Sequence, residues 1–280
     1  MLSLCRPRML PSAVCDVLAG FALAGGTLRM LSLSTLLAAL GSLALYGMGM
    51  VLNDLAGIQE DRALGRNKPL VSGIVTPLDA FLLGWALLFM GILCIYLAGI
   101  PFLLPILLTL GIVLYDFGST GLIPPAPFWI QGSPFALGLC RGLNLSLGYF
   151  LLNQNWSDWP IPLSVLITYA IYTTMVGFHG RLEDSKRNPR ALSKGFAVVA
   201  LMLLLLPLAF FSFPWAGLFL LPSLFFSQYA KDPIFRSGIL LKGFSRYDFI
   251  LALGMGAFGL AGLCAIPAWI LPLFQKRQWT

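Results

Sequence analysis

The chain has 280 residues, of which 58% are hydrophobic and only 10% charged, with a mean hydropathy of +0.86. Soluble domains carry about 25% charged residues, so the composition argues against a water-soluble fold. The net charge of +7 is read as a membrane-orientation signal rather than a nucleic-acid surface, because the basic residues segregate to one set of loops.

Arg6 and Arg8 precede an apolar stretch in which Asp16 interrupts what would otherwise read as a signal peptide, so this stretch is expected to be a retained first span. Residues 30–53, 80–115, 195–230 and 249–275 contain no Asp, Glu, Lys or Arg. Uncharged apolar runs longer than about 18 residues are membrane-span candidates. The run at 80–115 divides at Gly99-Ile100-Pro101, and the run at 195–230 at Phe213-Pro214. Spans are expected near 10–28, 33–52, 79–98, 102–118, 133–152, 160–178, 194–211, 214–230 and 248–270. The expected class is an all-α integral membrane protein, a single domain over 1–280 built as a bundle of about nine transmembrane helices. With the N-terminus cytoplasmic, fourteen Lys and Arg fall on that side and three on the other, the bias of a multi-pass protein of a bacterial plasma membrane. The five cysteines form no CxxC pair and read as buried thiols.

Two polar cytoplasmic loops stand out, at about 53–78 and 179–194. In the first, Asn53-Asp54 is followed by Asp61, so that Asp54 and Asp61 lie nearly two helical turns and about 10 Å apart along one face of a continuous helix. Acids at a membrane boundary are expected to face the bundle interior. Two carboxylates and an amide offer oxygen ligands to a hard cation such as Mg²⁺, which is held by one or two carboxylates plus substrate phosphates. Arg62, Arg66 and Lys68 follow directly and suit phosphate oxygens. In the second loop, "FHGRLEDSKRNP" sets Glu183 and Asp184 among Arg181, Lys186 and Arg187. His179 and Glu183 are four apart and can pair on one helix face; for the sole histidine a structural contact is the simpler reading. Arg141 and Asn144 share a face inside the fifth span, and an Arg within a span is by default a functional residue, here a phosphate contact.

The pattern N-D-x-x-x-x-x-x-D followed by K-P-L-x-S-G, carried by Asn53, Asp54, Asp61, Lys68, Pro69, Leu70, Ser72 and Gly73, resembles the first signature of the UbiA superfamily of intramembrane prenyltransferases. That signature reads Asn-Asp-x-x-Asp-x-x-x-Asp and then Arg-Pro-Leu/Ile-x-Ser-Gly. The chain departs from it at Gly57, where the middle Asp would stand, and at Lys68, which replaces the Arg. Glu183 and Asp184 stand where the family's second acidic segment would be, in thinned form. "RPRMLPSAVCDVLAG", "LYDFGST" (with Tyr115 kept) and "GLCRGLNLSLG" extend the resemblance over essentially the whole chain, and "GLCRGLN" with "GRLED" is most similar to the UbiA-like branch associated with Ebo gene clusters. The signature of CDP-alcohol phosphotransferases would need Asp at 57, and "DLAGIQEDR" does not supply it.

The resemblance implies a UbiA-like fold of nine transmembrane helices around a central cavity. It implies Mg²⁺-dependent transfer of a prenyl group from a prenyl diphosphate to a lipophilic, usually aromatic, acceptor. Asn53, Asp54 and Asp61 would bind a first Mg²⁺, and Glu183 and Asp184 a second. Arg62, Lys68, Arg141, Arg181 and Lys186 would hold diphosphate oxygens, with Tyr115 near the leaving group. Such chemistry needs neutralisation of the departing charge and a dry, aromatic pocket for the allyl cation. The alternative, favoured by the missing carboxylates, is a non-catalytic binder or carrier of a prenylated or amphipathic molecule. Membrane lipid is an expected partner and nucleic acid is not.

Overall fold

The computed structural model describes residues 4–6, 10–63, 65–117, 134–153, 160–184, 214–220 and 233–267, with the backbone alone at 160–162, 178–184, 233–242 and at 214, 217 and 220. Among these residues every regular element is helical. The α-helices are α1 (Leu10–Leu23), α2 (Leu33–Ala56), α3 (Ile58–Ala63), α4 (Pro77–Leu97), α5 (Leu103–Phe117), α6 (Pro134–Tyr149), α7 (Pro160–Asp184), α8 (Pro233–Gly254) and α9 (Phe258–Ala265). Short 3₁₀ helices occupy Leu28–Met30 and Pro214–Leu220. The nine α-helices among the described residues build the fold class expected from the sequence, although they do not coincide one for one with the nine expected spans. The span expected at 194–211 lies outside the described residues, and that at 214–230 is described only as far as Leu220.

Helix starts follow local chemistry. Ser32 caps α2 in a reciprocal box, its hydroxyl accepting from the Thr35 amide while the Thr35 hydroxyl accepts from the Ser32 amide. Thr76 caps α4 by accepting from the Asp79 amide at 3.1 Å, with Pro77 at the first helical position. At the other end of α4, Gly99 has φ +81°, its amide donates to Tyr96 O, and the Ile100 amide donates to Ile95 O. This paired pattern needs a left-handed residue, which glycine takes without a Cβ penalty. The same motif at Gly256 (φ +75°), with Gly256 and Ala257 donating to Leu253 O and Ala252 O, corrects the expected last span at 248–270. The segment is two helices, and the longer one begins at Pro233, taking in a stretch that charge alone had assigned to a loop.

Among the described residues α2 and α4 are long and apolar enough to cross a membrane, while α1, α5 and residues 163–177 of α7 form shorter apolar helices. One face of α4 (Phe81, Trp85, Phe89 and Leu93) is exposed and apolar, a surface suited to hydrocarbon rather than water. Inside the bundle, α1 crosses α6 at near backbone contact. A Cβ on Gly20 would overlap Leu145 O, and one on Gly148 would overlap Val17 O. Small residues at such a crossing let the helices approach where lipid supplies no hydrophobic drive to pack. On the inner side, Tyr169 of α7 stacks on Tyr247 of α8 with ring centroids 4.6 Å apart.

Candidate functional site

The polar residues gather in two layers. The first lies where α2 gives way to α3. Gly57 caps α2 and ends it, and the chain restarts at once as the short α3. The continuous helix assumed from the sequence is thus interrupted, and Asp54 and Asp61 come closer than an axial rise of two turns would leave them. Lys68 Nζ sits between them, 3.0 Å from Asp54 Oδ1 and 2.7 Å from Asp61 Oδ2. Arg6 reaches the same Asp54 oxygen at 2.9 Å, and Arg66 reaches Asp61 Oδ1 at 3.1 Å. Both carboxylates are buried, whereas Arg6 and Arg66 keep more than two-fifths of their side chains exposed. Burial pushes the Asp61 carboxyl up, but the hydrogen bonds and positive charge of Lys68 and Arg66 outweigh it and hold the group below the usual carboxylate range. Asn53 donates to Asp116 Oδ1 of α5 at 3.2 Å, which ties this cluster to a third buried acid.

The second layer lies in the bundle core. Arg141 donates to Asp16 Oδ2 at 2.8 Å and to Ser12 Oγ at 2.9 Å. Asn144 donates to the same Asp16 oxygen at 2.8 Å, and the Tyr169 hydroxyl donates to Asp16 Oδ1 at 2.7 Å. The Arg141 guanidinium lies over the Phe244 ring, 4.6 Å from its centroid. Asp248 of α8 is completely buried against this group, its oxygens without a donor among the described residues.

Between the layers is a cavity of about 70 Å³, walled by α2, α5 and α6. Tyr46, Tyr115, Asp116, Cys140, Arg141 and Asn144 line it with apolar neighbours. A larger cleft of about 720 Å³ runs outside α2 between α4 and α5, past Leu55, Ile58, Phe81, Trp85 and Phe117.

Of the residues expected from the sequence, Asn53, Asp54, Asp61 and Lys68 come together. Arg62 is exposed on α3, Tyr115 lines the cavity, and Arg141 faces it from the far wall. The side chains of Arg181, Glu183 and Asp184 lie outside the described residues, as do those of His179 and Lys186. Sequence reading overlooked Asp116, Tyr46 and Tyr169 and gave Arg6 only an orientation role. Asp116 was within reach of the rule applied to Arg141, since an ionisable residue at membrane depth is expensive and marks function.

The donor set suits a divalent cation in type, with carboxylate and amide oxygens from α2, α3 and α5. Among the described residues no three His, Cys, Asp or Glu side chains already converge on one point. The Lys68 ammonium stands between Asp54 and Asp61 as a monovalent counter-ion, where a metal would compete with it.

Residues 13–193 match the profile of the UbiA prenyltransferase family. The fold is similar to that in a study of digeranylgeranylglyceryl phosphate synthase (18% identity over 95% of this chain and 97% of that one, TM-score 0.56). It is also similar to a UbiA homologue from Archaeoglobus fulgidus bound to GPP and Mg²⁺ (16%, 95% and 98%, TM-score 0.55). A third likeness is to an apo UbiA homologue from Aeropyrum pernix K1 (18%, 93% and 97%, TM-score 0.55). No curated protein matches the chain. A profile match over most of the length, on a helical bundle with this acid cluster at one end, places the chain in the UbiA prenyltransferase family, whose members are integral membrane proteins.

Proposed function

We propose that the protein is a Mg²⁺-dependent intramembrane prenyltransferase that transfers a prenyl group from a prenyl diphosphate to a lipophilic, aromatic acceptor. The observation that carries this reading is the cluster of Asn53, Asp54, Asp61 and Lys68 beside an apolar cavity. Such a juxtaposition suits a ligand with a polyanionic head and a hydrocarbon body. The fold it shares with a homologue bound to GPP and Mg²⁺ supports the same reading.

Asn53, Asp54 and Asp61 would hold the cation, with Glu183 and Asp184 available to a second. When bound, Mg²⁺ neutralises the negative charge that develops on the departing diphosphate. Lys68 and Arg62, joined by Arg181 and Lys186, take diphosphate oxygens. Lys68 is suited to this because its long stem is only partly buried and its ammonium can leave the carboxylates for a phosphate. Tyr46 and Tyr115 line the cavity, where aromatic rings would stabilise an allyl cation. Arg141, already engaged by Asp16 and Ser12, shapes the far wall and orients the reacting end. The outer cleft beside Phe81 and Trp85 is a second apolar surface suited to a hydrocarbon tail. By the charge of its loops the N-terminus is cytoplasmic in a bacterial plasma membrane, and "GLCRGLN" with "GRLED" favours the branch associated with Ebo gene clusters.

A second reading, a non-catalytic binder of the same amphiphiles, draws on Gly57 and on the neutralisation of Asp54 and Asp61 by the chain's own bases. Binding of a non-hydrolysable prenyl diphosphate analogue to the purified protein, with and without Mg²⁺ and beside Asp54→Ala, separates the two. Mg²⁺-dependent binding lost in Asp54→Ala supports the transferase. Binding indifferent to both removes the metal-assisted mechanism and favours the carrier.

A further inference from the structure

Three buried carboxylates occupy the α2–α3–α5 corner, and the positive charge there is shared unevenly. Asp54 faces Arg6 and Lys68, and Asp61 faces Lys68 and Arg66. Asp116, only 4% exposed, has no ion pair among the described residues. Its Oδ1 accepts from Asn53, and its Oδ2 is buried without a donor. A buried carboxylate is retained in its charged form when it is paired or coordinates a metal, and among the described residues Asp116 has no cationic partner in contact.

The neighbouring gap explains what Asp116 compensates. Across the α2–α3 junction the Gly57 amide donates to Asn53 O at 3.0 Å and the Asp61 amide to Gly57 O at 2.9 Å, so Asn53, Gly57 and Asp61 stay in line on one face. Position 57 contributes only backbone, and a Cβ there would meet Asn53 O at 3.2 Å and Asp61 Oδ2 at 3.6 Å. A carboxylate at 57 would thus stand between Asn53 and Asp61. Asp116 approaches Asn53 of that same face, but from α5.

We propose that Asp116 is a ligand of the divalent cation, supplying from α5 the carboxylate that position 57 lacks. The inference rests on the metal-assisted reading above and adds a residue and a helix to it. Because Asp116 also lines the inner cavity, a cation held there joins the polar cluster to the place where the reacting end would lie.

The test is direct Mn²⁺ binding to the purified full chain, followed by electron paramagnetic resonance without diphosphate. It compares wild type, Asp116→Asn, Asp116→Ser, Asp54→Ala and the pair Asp116→Asn/Gly57→Asp. Asp116→Asn keeps the shape and the Asn53 contact, and Asp116→Ser is a smaller second probe should the amide fail to fold. Each must elute as a single species. The expected result is a loss of at least about tenfold in Mn²⁺ affinity for both Asp116 variants, with most of it recovered when Gly57→Asp is added. Wild-type affinity in the Asp116 variants together with loss in Asp54→Ala would overturn the inference and leave the metal-assisted reading standing. Weakening that Gly57→Asp does not reverse would overturn the shared position. A wild type that takes up no Mn²⁺ at millimolar concentration would overturn both.

Discussion

The Asp16 layer allows a sharp prediction because its contacts can be enumerated. Asp16 accepts three hydrogen bonds, from Arg141 at 2.8 Å, Asn144 at 2.8 Å and Tyr169 at 2.7 Å, and both it and Arg141 are essentially excluded from solvent. Removing one partner of a buried ion pair costs about 3–5 kcal/mol, because the survivor is left as an uncompensated charge. In Asp16→Ala the Tyr169 hydroxyl also loses its acceptor, which adds about 1–3 kcal/mol, whereas Asn144 still reaches Ala13 O at 3.1 Å. The total, about 4–8 kcal/mol, is of the order of a whole domain's stability and corresponds to a fall in Tm of about 10–25 °C. Arg141→Met should cost about 3–5 kcal/mol on the same argument. Tyr169→Phe leaves Arg141 and Asn144 on Asp16 Oδ2 but takes the donor from Oδ1, and should cost about 1–3 kcal/mol. The double variant Asp16→Leu/Arg141→Met removes both charges and should cost at least about 2 kcal/mol less than the sum of its singles. Thermal unfolding of purified protein in one detergent, run as a double-mutant cycle, measures this. Strict additivity, or an Arg141→Met variant within about 0.5 kcal/mol of wild type, would refute a coupled structural pair. The same Arg141→Met protein, kept below its Tm, should still bind a prenyl diphosphate analogue, since both guanidinium nitrogens that make contacts are committed to Asp16 and Ser12.

Four further outcomes are expected. Gly148→Ala drives a methyl into the Val17 carbonyl at the α1–α6 crossing, where backbone cannot yield as a side chain would, so a loss of at least about 1–3 kcal/mol is expected in the same unfolding assay. Gly262→Ala, with nothing among the described residues within 4 Å of the added carbon, should be nearly silent there. Lys68→Met removes the ammonium that bridges Asp54 and Asp61, so Mn²⁺ should bind about five- to tenfold more tightly by titration, while binding of the prenyl diphosphate analogue weakens. Thr76→Ala deletes the cap of α4 and should cost about 1 kcal/mol, with Thr76→Ser restoring it.

Much of the bundle was legible because charge is so scarce in this chain. Long uncharged runs announce α2, α4 and α5, and the break at Gly99 is spelled out by Gly-Ile-Pro. The Gly57 interruption and the turn at Gly256 were harder, since a single glycine in an apolar run reads equally as helix interior or helix end. For the site, Asn53, Asp54, Asp61 and Lys68 were legible as a local cluster, because they lie within sixteen residues of one another. Their partners from distant segments were not. Arg6 lies 48 positions from Asp54, Asn53 lies 63 from Asp116, and Arg141 lies 125 from Asp16. Periodicity indicates which face a residue occupies but not which helix will meet that face, so Asp16 and Arg141 could each be flagged as costly without being matched.

The two polar layers differ in a way that bears on which one receives a ligand. Arg6, Arg66 and Lys68 reach their carboxylates through long, partly exposed side chains, and pairs of that kind are individually weak and readily exchanged. Arg141 and Asp16 are desolvated, saturated with fixed donors and clamped between Phe244 and Tyr169, so displacing either exposes a buried charge. A diphosphate arriving with a cation can therefore take over the outer bases one at a time while the inner pair stays intact. Exchangeable charge at the cavity mouth and locked charge at its back wall let the same bundle stay folded without a ligand and still accept an anionic head. Under the proposed function, that division would give the mouth the binding of the charged group and leave the core layer to hold α1, α6 and α7 around the cavity.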